Sequence, residues 1–324
     1  MSKIKIGILG YGNLGKGVEN GLKRNPDMEL VGIFTRRNPK KLNTSSPTFY
    51  IDELKNFQRI IDVLIMCGGS KSDILTQGPE MAKLFNTIDS FDNHGKIPEY
   101  FQEVDKISKE NDTVSIISTG WDPGLFSLNR LIGESVLPEG NTYTFWGKGV
   151  SQGHSDAVRR IKGIKKAIQY TIPKEDLVNK IVKGEEVEYT SHKAHDREVF
   201  AVIEDGYNAE EIRNEIVNMP DYFQGYNTIV HFIDEKEFEK NHSGIPHGGK
   251  VIRQGKTSDD NISIYKFELD LGSNPEFTAS VNIAYARACY KLSKDKSYGA
   301  KTVLDVPPGY LSIHSMEELR KRIL

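Results

Sequence analysis

The sequence predicts an α/β fold followed by a second, α+β domain, and three observations carry that reading. Short apolar runs alternate with amphipathic segments over the first 120 residues, a glycine-rich turn joins the first run to the first segment, and beyond residue 122 the runs lengthen and alternate apolar with polar residues. Runs alternating with helical segments are what a parallel sheet wrapped by helices produces. Alternation within a run belongs to a sheet with one covered face. We therefore expect a first domain formed by residues 1–122 with about 275–324, and a second at about 123–274 carrying a mainly antiparallel sheet.

In chain order, the strands of the first domain are expected at Ile4–Leu9, Glu29–Phe34, Ile61–Cys67, Asn86–Asp89 and Thr113–Ser118, each rich in Ile, Val, Leu or Phe. Helices are expected near 13–24, 79–85 and 98–110; in the first, Leu14, Val18 and Leu22 recur every fourth residue and give one apolar face. The second domain is expected to hold strands at Thr142–Trp146, Ala167–Ile172, Arg197–Ile203, Asn227–Ile233 and Ile262–Leu271, with helices at 175–183 and 209–218. The polar stretch 254–261 reads as an exposed turn. Phe277–Leu292 is helical by its alanines and apolar spacing, is followed by the run Lys301–Val306 and a closing helix at 315–323, and is expected to return to the first domain.

Composition narrows the function. The chain has 324 residues, 37% hydrophobic and 27% charged, with a formal net charge of -2. That balance is globular, gives no basic surplus for nucleic acid, and contains no apolar stretch near the ~20 residues a membrane span needs. The N-terminus enters an apolar strand at once, without a signal-type apolar region, so a water-soluble, cytoplasmic protein is expected. Two cysteines, Cys67 and Cys289, make no disulfide framework and no CxxC pair, and both read as buried thiols.

Gly10-Tyr11-Gly12-Asn13-Leu14-Gly15 is a GxGxxG that follows one expected strand and opens one expected helix. In that context the first glycine permits the turn, the second admits a pyrophosphate and the third lets helix and strand approach, which is the fingerprint of a Rossmann-type dinucleotide site. The second strand ends in Phe34-Thr35-Arg36-Arg37, with no acid to meet a ribose 2'-hydroxyl or repel a 2'-phosphate. Two guanidiniums and a hydroxyl favour NADP over NAD.

The chemistry gathers at two later strand ends, Asp89-Ser90-Phe91-Asp92-Asn93-His94 and Ser118-Thr119-Gly120-Trp121-Asp122-Pro123-Gly124. Each aspartate alone suits a turn or a cap. Together, Asp92 and Asp122 beside a nicotinamide would hold an ammonium and could accept a proton as an amine becomes an imine. The eight histidines are too scattered for a metal motif, and no metal is expected.

These segments closely resemble the meso-diaminopimelate D-dehydrogenase family over nearly the whole chain. The likeness is carried by residues 10–15, 31–37 and 118–124, by Thr-Phe-Trp-Gly at 144–147, Ser-Gln-Gly-His-Ser-Asp at 151–156, Met-Pro-Asp-Tyr-Phe at 219–223 and Pro-His-Gly-Gly at 246–249. The resemblance implies NADP-dependent, reversible oxidative deamination of meso-2,6-diaminoheptanedioate at its D-centre, giving L-2-amino-6-oxoheptanedioate and ammonia, in lysine and cell-wall metabolism. It implies that Asp92 and Asp122, with Trp146, hold the D-centre, that Trp121, Phe145 and Gly153 also bind the substrate, and that Thr171, Arg197, His247 and Asn274 grip the distal L-amino-acid end. Around the cofactor it adds Cys67, Gly68, Gly69 and Ser70, then Ser90 and Phe91, and the backbone of Thr119, Gly120, Trp121, Asp122 and Pro123. A homodimer and closure of the domains over the substrate are further expectations, and the general base is either an aspartate or a water. Another NADP-dependent reductase, acting on a sugar or a dihydropyridine dicarboxylate, is the competing enzyme reading; Arg197 with two aspartates argues against a neutral sugar. A coenzyme-binding sensor without catalysis is the competing reading outside enzymes.

Overall fold

The computed structural model describes residues 3–324, which divide into two compact units: the residues up to Leu128 with Pro275–Leu324, and Asn129–Asn274. Strands of the first unit are β1 (Ile4–Leu9), β2 (Met28–Thr35), β3 (Thr48–Tyr50), β4 (Val63–Met66), β5 (Thr87–Ile88) and β6 (Val114–Ile116). The second unit contains β7 (Gly140–Trp146), β8 (Gly149–Val150), β9 (Ile164–Pro173), β10 (His195–Ile203), β11 (Thr228–Phe232), β12 (His247–Ser258) and β13 (Asn261–Leu271), after which the chain adds β14 (Gly299–Lys301) to the first.

The first unit is a seven-stranded sheet in the order β14-β6-β5-β4-β1-β2-β3, parallel throughout. The chain moves outward from β1 to β3, then crosses to β4 on the other side of β1. That reversal opens a crevice at the carboxyl ends of β1 and β4, where open α/β sheets take their ligands. Alternation within β4 shows how both faces are filled: Val63 and Ile65 enter one core, Leu64 and Met66 the other. Val18 and Leu22 of the helix Asn13–Leu22 and Ala279, Ile283 and Ala286 of the helix Asn274–Lys294 cover the first face. Ala82, Tyr100 and Val104, from the helices Leu75–Ala82 and Ile97–Glu110, cover the second.

Elsewhere the expectations need correction. The second unit has two sheets: β11-β10-β9-β8, in which β10 and β11 run parallel, and the antiparallel β13-β12-β7. Strand β12 lies between two partners and was not foreseen. Its residues 254–258 belong to the ladder with β13, so the exposed turn shrinks to 259–260. Helices at Leu125–Val136 and Gln152–Arg159 and the strands β3 and β8 are likewise additions. The strand after the long helix ends at Lys301, where the expected run begins.

One buried cation fastens the returning helix. Arg287 grips Asp27 through Nε at 2.6 Å and Nη2 at 2.9 Å, reaches Asn25 Oδ1 at 2.8 Å, and donates to the Leu311 carbonyl at 2.9 Å. Burial raises the Asp27 carboxyl, yet the guanidinium outweighs it and holds the group below the usual range. Removing one partner strands the other. Arg287→Ala is therefore expected to cost about 3 kcal/mol of stability, read as a loss of amide protection across the first unit in hydrogen exchange; unchanged protection would show that the grip is dispensable.

Candidate functional site

In the first unit, five loops leave the carboxyl edge of the sheet: 10–12 after β1, 35–37 after β2, 67–70 after β4, 89–92 after β5 and 118–122 after β6. The first three line a cleft of about 300 Å³, together with Phe34, Ile51, Asp73 and Gln77. Gly10 has φ +94°, which favours glycine, and a Cβ on Gly15 would lie 2.3 Å from the Gly10 carbonyl oxygen. Gly15 thus serves the turn rather than the cleft. At Gly12 a Cβ would meet nothing within 4 Å, so the helix start is open to a ligand.

Thr35 Oγ1 accepts from the Arg37 amide at 3.1 Å, and the Arg37 guanidinium donates to the Tyr11 carbonyl. Tyr11 gives its side chain to the fold, its ring buried and its hydroxyl donated to the Glu19 carboxylate. Leu14 packs on the first core, while Asn13 is exposed. Cys67 is buried, and desolvation pushes its thiol up, so it is an inert wall. No acid stands at the end of β2, as read. One arrives from further along the chain, however: Asp73 Oδ1 lies 3.0 Å from Arg36 Nη2, and Asp73 Oδ2 accepts from the Gly69 amide at 3.0 Å. Gln77 Oε1, buried in the same cleft, has no hydrogen-bond partner among the described residues. Open turn, paired arginines and orphan acceptor together fit a dinucleotide carrying an extra phosphate.

The later loops are tied to one another. Asp89 accepts from the amides of Phe91 at 2.9 Å and Ser118 at 3.0 Å and from the Tyr100 hydroxyl at 2.7 Å. Asn282, from the returning helix, donates to Ser90 Oγ at 2.8 Å and lies 2.7 Å from the Thr119 hydroxyl. The Asp92 amide donates to Ser70 Oγ at 3.0 Å, which joins this loop to the one after β4. Phe91 is wholly buried, packed on Tyr100, so only its backbone faces the loops. Gly120 and Gly124 close the next loop, with the Leu125 amide on the Gly120 carbonyl at 3.0 Å, and Trp121 stands edge-on to Phe126. Asp92 is exposed and Asp122 half-buried, each just past the end of its strand, and Pro123 follows.

In the second unit, Arg197 and Thr171 are directly opposite on β10 and β9. The Arg197 guanidinium donates to Thr171 Oγ1 and lies 4.2 Å over the ring of Tyr226. It is 8% exposed, its Nε has no hydrogen-bond partner, and no carboxylate pairs with it among the described residues. Burial disfavours its charge, and the pKa is pushed down. A buried guanidinium without a carboxylate makes this a candidate anion site. His247 opens β12, half-buried, with its pKa lowered by burial; Asn274 begins the long helix, its amide on the Ile245 carbonyl at 3.0 Å. Gly153 sits exposed in the first turn of its helix, where a Cβ would meet nothing within 4 Å. Phe145 departs from its expected role: it is fully buried among Tyr143, Val178, Ile181 and Ile252, so its side chain packs, while Trp146 beside it is half-exposed. The sequence reading missed Tyr226, Asp73, Gln77 and Asn282. Each comes from a segment distant in sequence, so no short motif announces it.

Residues 120–273 match the family model described as the diaminopimelic acid dehydrogenase C-terminal domain. The chain is 56% identical over 326 residues to the meso-diaminopimelate D-dehydrogenase of Ureibacillus thermosphaericus, with all of both chains covered. A multiply substituted meso-dapdh from Clostridium tetani E88, solved with DAP, superposes with a TM-score of 0.94 at 53% identity, over 99% of this chain and 100% of that one. An engineered D-amino acid dehydrogenase bound to NADP+ gives 0.87 at 42% identity, over 100% of both. With such identity over its full length, the chain belongs to the meso-diaminopimelate D-dehydrogenase family.

Proposed function

We propose that this chain is an NADP-dependent dehydrogenase that reversibly deaminates the D-centre of meso-2,6-diaminoheptanedioate to L-2-amino-6-oxoheptanedioate and ammonia, in lysine biosynthesis. The observation that carries the reading is the buried, carboxylate-free Arg197, because a substrate with a distal carboxylate supplies the partner its own fold does not. Thr171 and Tyr226 orient that guanidinium, and His247 and Asn274 are assigned to the same L-amino-acid end. Asp92 and Asp122, with Trp121 and Trp146, are assigned to the D-centre and its ammonium. The proton released as amine becomes imine passes to one of these carboxylates or to a water beside them.

The first unit is the coenzyme-binding part in this reading, and the second the substrate-binding and dimerising part. Gly10, Gly12 and the loop 67–70 would hold the pyrophosphate side, Thr35, Arg36 and Arg37 the 2'-phosphate, and Ser90, Phe91 and 119–123 the nicotinamide side. When bound, NADP accepts the hydride from the D-carbon; the protein supplies orientation and charge. A cytoplasmic homodimer is part of the proposal and rests on the family likeness. Among the described residues, no helix is long and apolar enough to cross a membrane.

The deciding experiment follows nicotinamide absorbance with NADP and the separate meso, LL and DD isomers. Turnover of meso and none of LL is expected, and no signal with meso overturns the reading. Arg197→Met should raise the KM for meso-diaminopimelate by about tenfold or more while NADP binding stays constant, since a charge-assisted pair is worth ~1.5–3 kcal/mol; an unchanged KM removes Arg197 from the site. Arg36→Ala with Arg37→Ala should weaken NADP more than NAD in a binding titration. Equal losses for the two dinucleotides would sink the 2'-phosphate assignment.

A further inference from the structure

We propose that His195 is a positioning residue for Trp146: its neutral ring, protonated on Nδ1, holds the end of the strand that presents Trp146. The inference rests on the reading above that Trp146 borders the reacting D-centre. Strand β7 is the outer strand of its sheet, so one side of its backbone has no partner strand. At its end the Gly147 amide turns inward and donates to the Gly248 carbonyl at 2.8 Å. The preceding amide, that of Trp146, must find an acceptor elsewhere. It finds His195 Nε2 at 2.9 Å, on the first residue of β10 in the other sheet of the same unit.

The other ring nitrogen settles the tautomer. His195 Nδ1 lies 3.1 Å from the Ser191 carbonyl oxygen. A carbonyl only accepts, so Nδ1 carries the hydrogen; an amide only donates, so Nε2 carries the lone pair. No other tautomer satisfies both contacts. The ring is 1% exposed, and its centre is 5.7 Å from the Trp146 ring, inclined at 32°, and 5.8 Å from that of Phe145. His195 is also two residues before Arg197, so one strand carries both the anion-binding guanidinium and the support of the residue assigned to the opposite end of the substrate. A core histidine that merely fills space would tolerate a leucine. One that fixes Trp146 needs its acceptor.

The test compares H195L, which fills the space without an acceptor, with H195Q, whose amide can donate to Ser191 and accept from Trp146, and with H195N, too short to reach both. H195L is expected to lower kcat with meso-diaminopimelate about tenfold, leave the KM for NADP unchanged, and shift the emission of Trp146 read in a Trp121→Phe background. H195Q is expected to return kcat to within about threefold of wild type. Should H195L not fold by circular dichroism, H195N decides, with the same loss of kcat expected. W146F is run alongside. If W146F leaves kcat and both KM values at wild type, the placement of Trp146 is what failed; if W146F lowers kcat while H195L or H195N keeps wild-type kcat and emission, whatever its melting temperature, the positioning role is overturned.

Discussion

Asp89 is a buried carboxylate with no cation against it among the described residues, and the two loops that carry Asp92 and Asp122 hang from it. Burial pushes its carboxyl up, and three donors, the Phe91 and Ser118 amides and the Tyr100 hydroxyl, act against that rise. Two of these donors are backbone groups in different loops. One carboxylate therefore joins the end of β5 to the end of β6, and the Thr119 amide adds a bond to the Asp89 carbonyl at 2.8 Å. Asn282 closes the arrangement from behind, which gives the return of the chain to the first unit a purpose beyond covering the sheet. Asp92 and Asp122 then extend from anchored points three and four residues away. Their placement depends on the main-chain amides held by Asp89 and on the Ser90 and Thr119 side chains held by Asn282.

The second unit solves the opposite electrostatic problem. A guanidinium taken out of water loses several kcal/mol of hydration unless something replaces it. Around Arg197 the fold offers a threonine hydroxyl and the face of Tyr226, and a desolvated cation over an aromatic ring recovers about 2 kcal/mol or more, a part of that loss. The remainder of the compensation is left to a ligand. In the proposed reading a dicarboxylate diamine would complete the charge, whereas an analogue without the distal carboxylate would leave the guanidinium buried and unpaired and is expected to be rejected. Specificity in this reading comes from an interaction the protein leaves incomplete.

How much of this is legible in the sequence depends on the distance along the chain over which each feature is written. The turn at 10–15 and the basic end at 35–37 are local, and residues 10–12 and 35–37, which help to shape them, also line the cleft. Phe145 and Trp146 are adjacent, so period-two alternation separates them: Phe145 goes into the core and Trp146 does not. Without knowing which face of β7 is covered, the two are indistinguishable, and both were assigned to the substrate. Strand β12 is hidden in part by the polar stretch 254–261, which reads as an exposed turn, although 254–258 pair with β13 and the strand lies between two neighbours that supply its stability. The helix Leu125–Val136 lies just beyond residue 122, where the sequence is read as passing into longer, alternating runs. Tyr226, Asp73 and Asn282 reach their partners across tens of residues, a relation no periodicity encodes.

Asp73 puts the coenzyme preference to a quantitative test. It stands in the cleft, bonded to Arg36, where the strand end alone had offered no acid. Arg36 is 66% exposed, and an ion pair so open to solvent is worth about 0–1 kcal/mol. A charge-assisted bond to phosphate is worth ~1.5–3 kcal/mol and can be bidentate from a guanidinium. Exchanging Asp73 for a doubly charged phosphate therefore favours the phosphate. The Arg37 guanidinium is meanwhile held by the Tyr11 carbonyl, on the turn that would carry the pyrophosphate. Asp73 pairs with Arg36 at the cleft, and its bond to the Gly69 amide ties it to the loop after β4. In the proposed reading that acid is a weak partner of Arg36, replaceable by the 2'-phosphate of NADP.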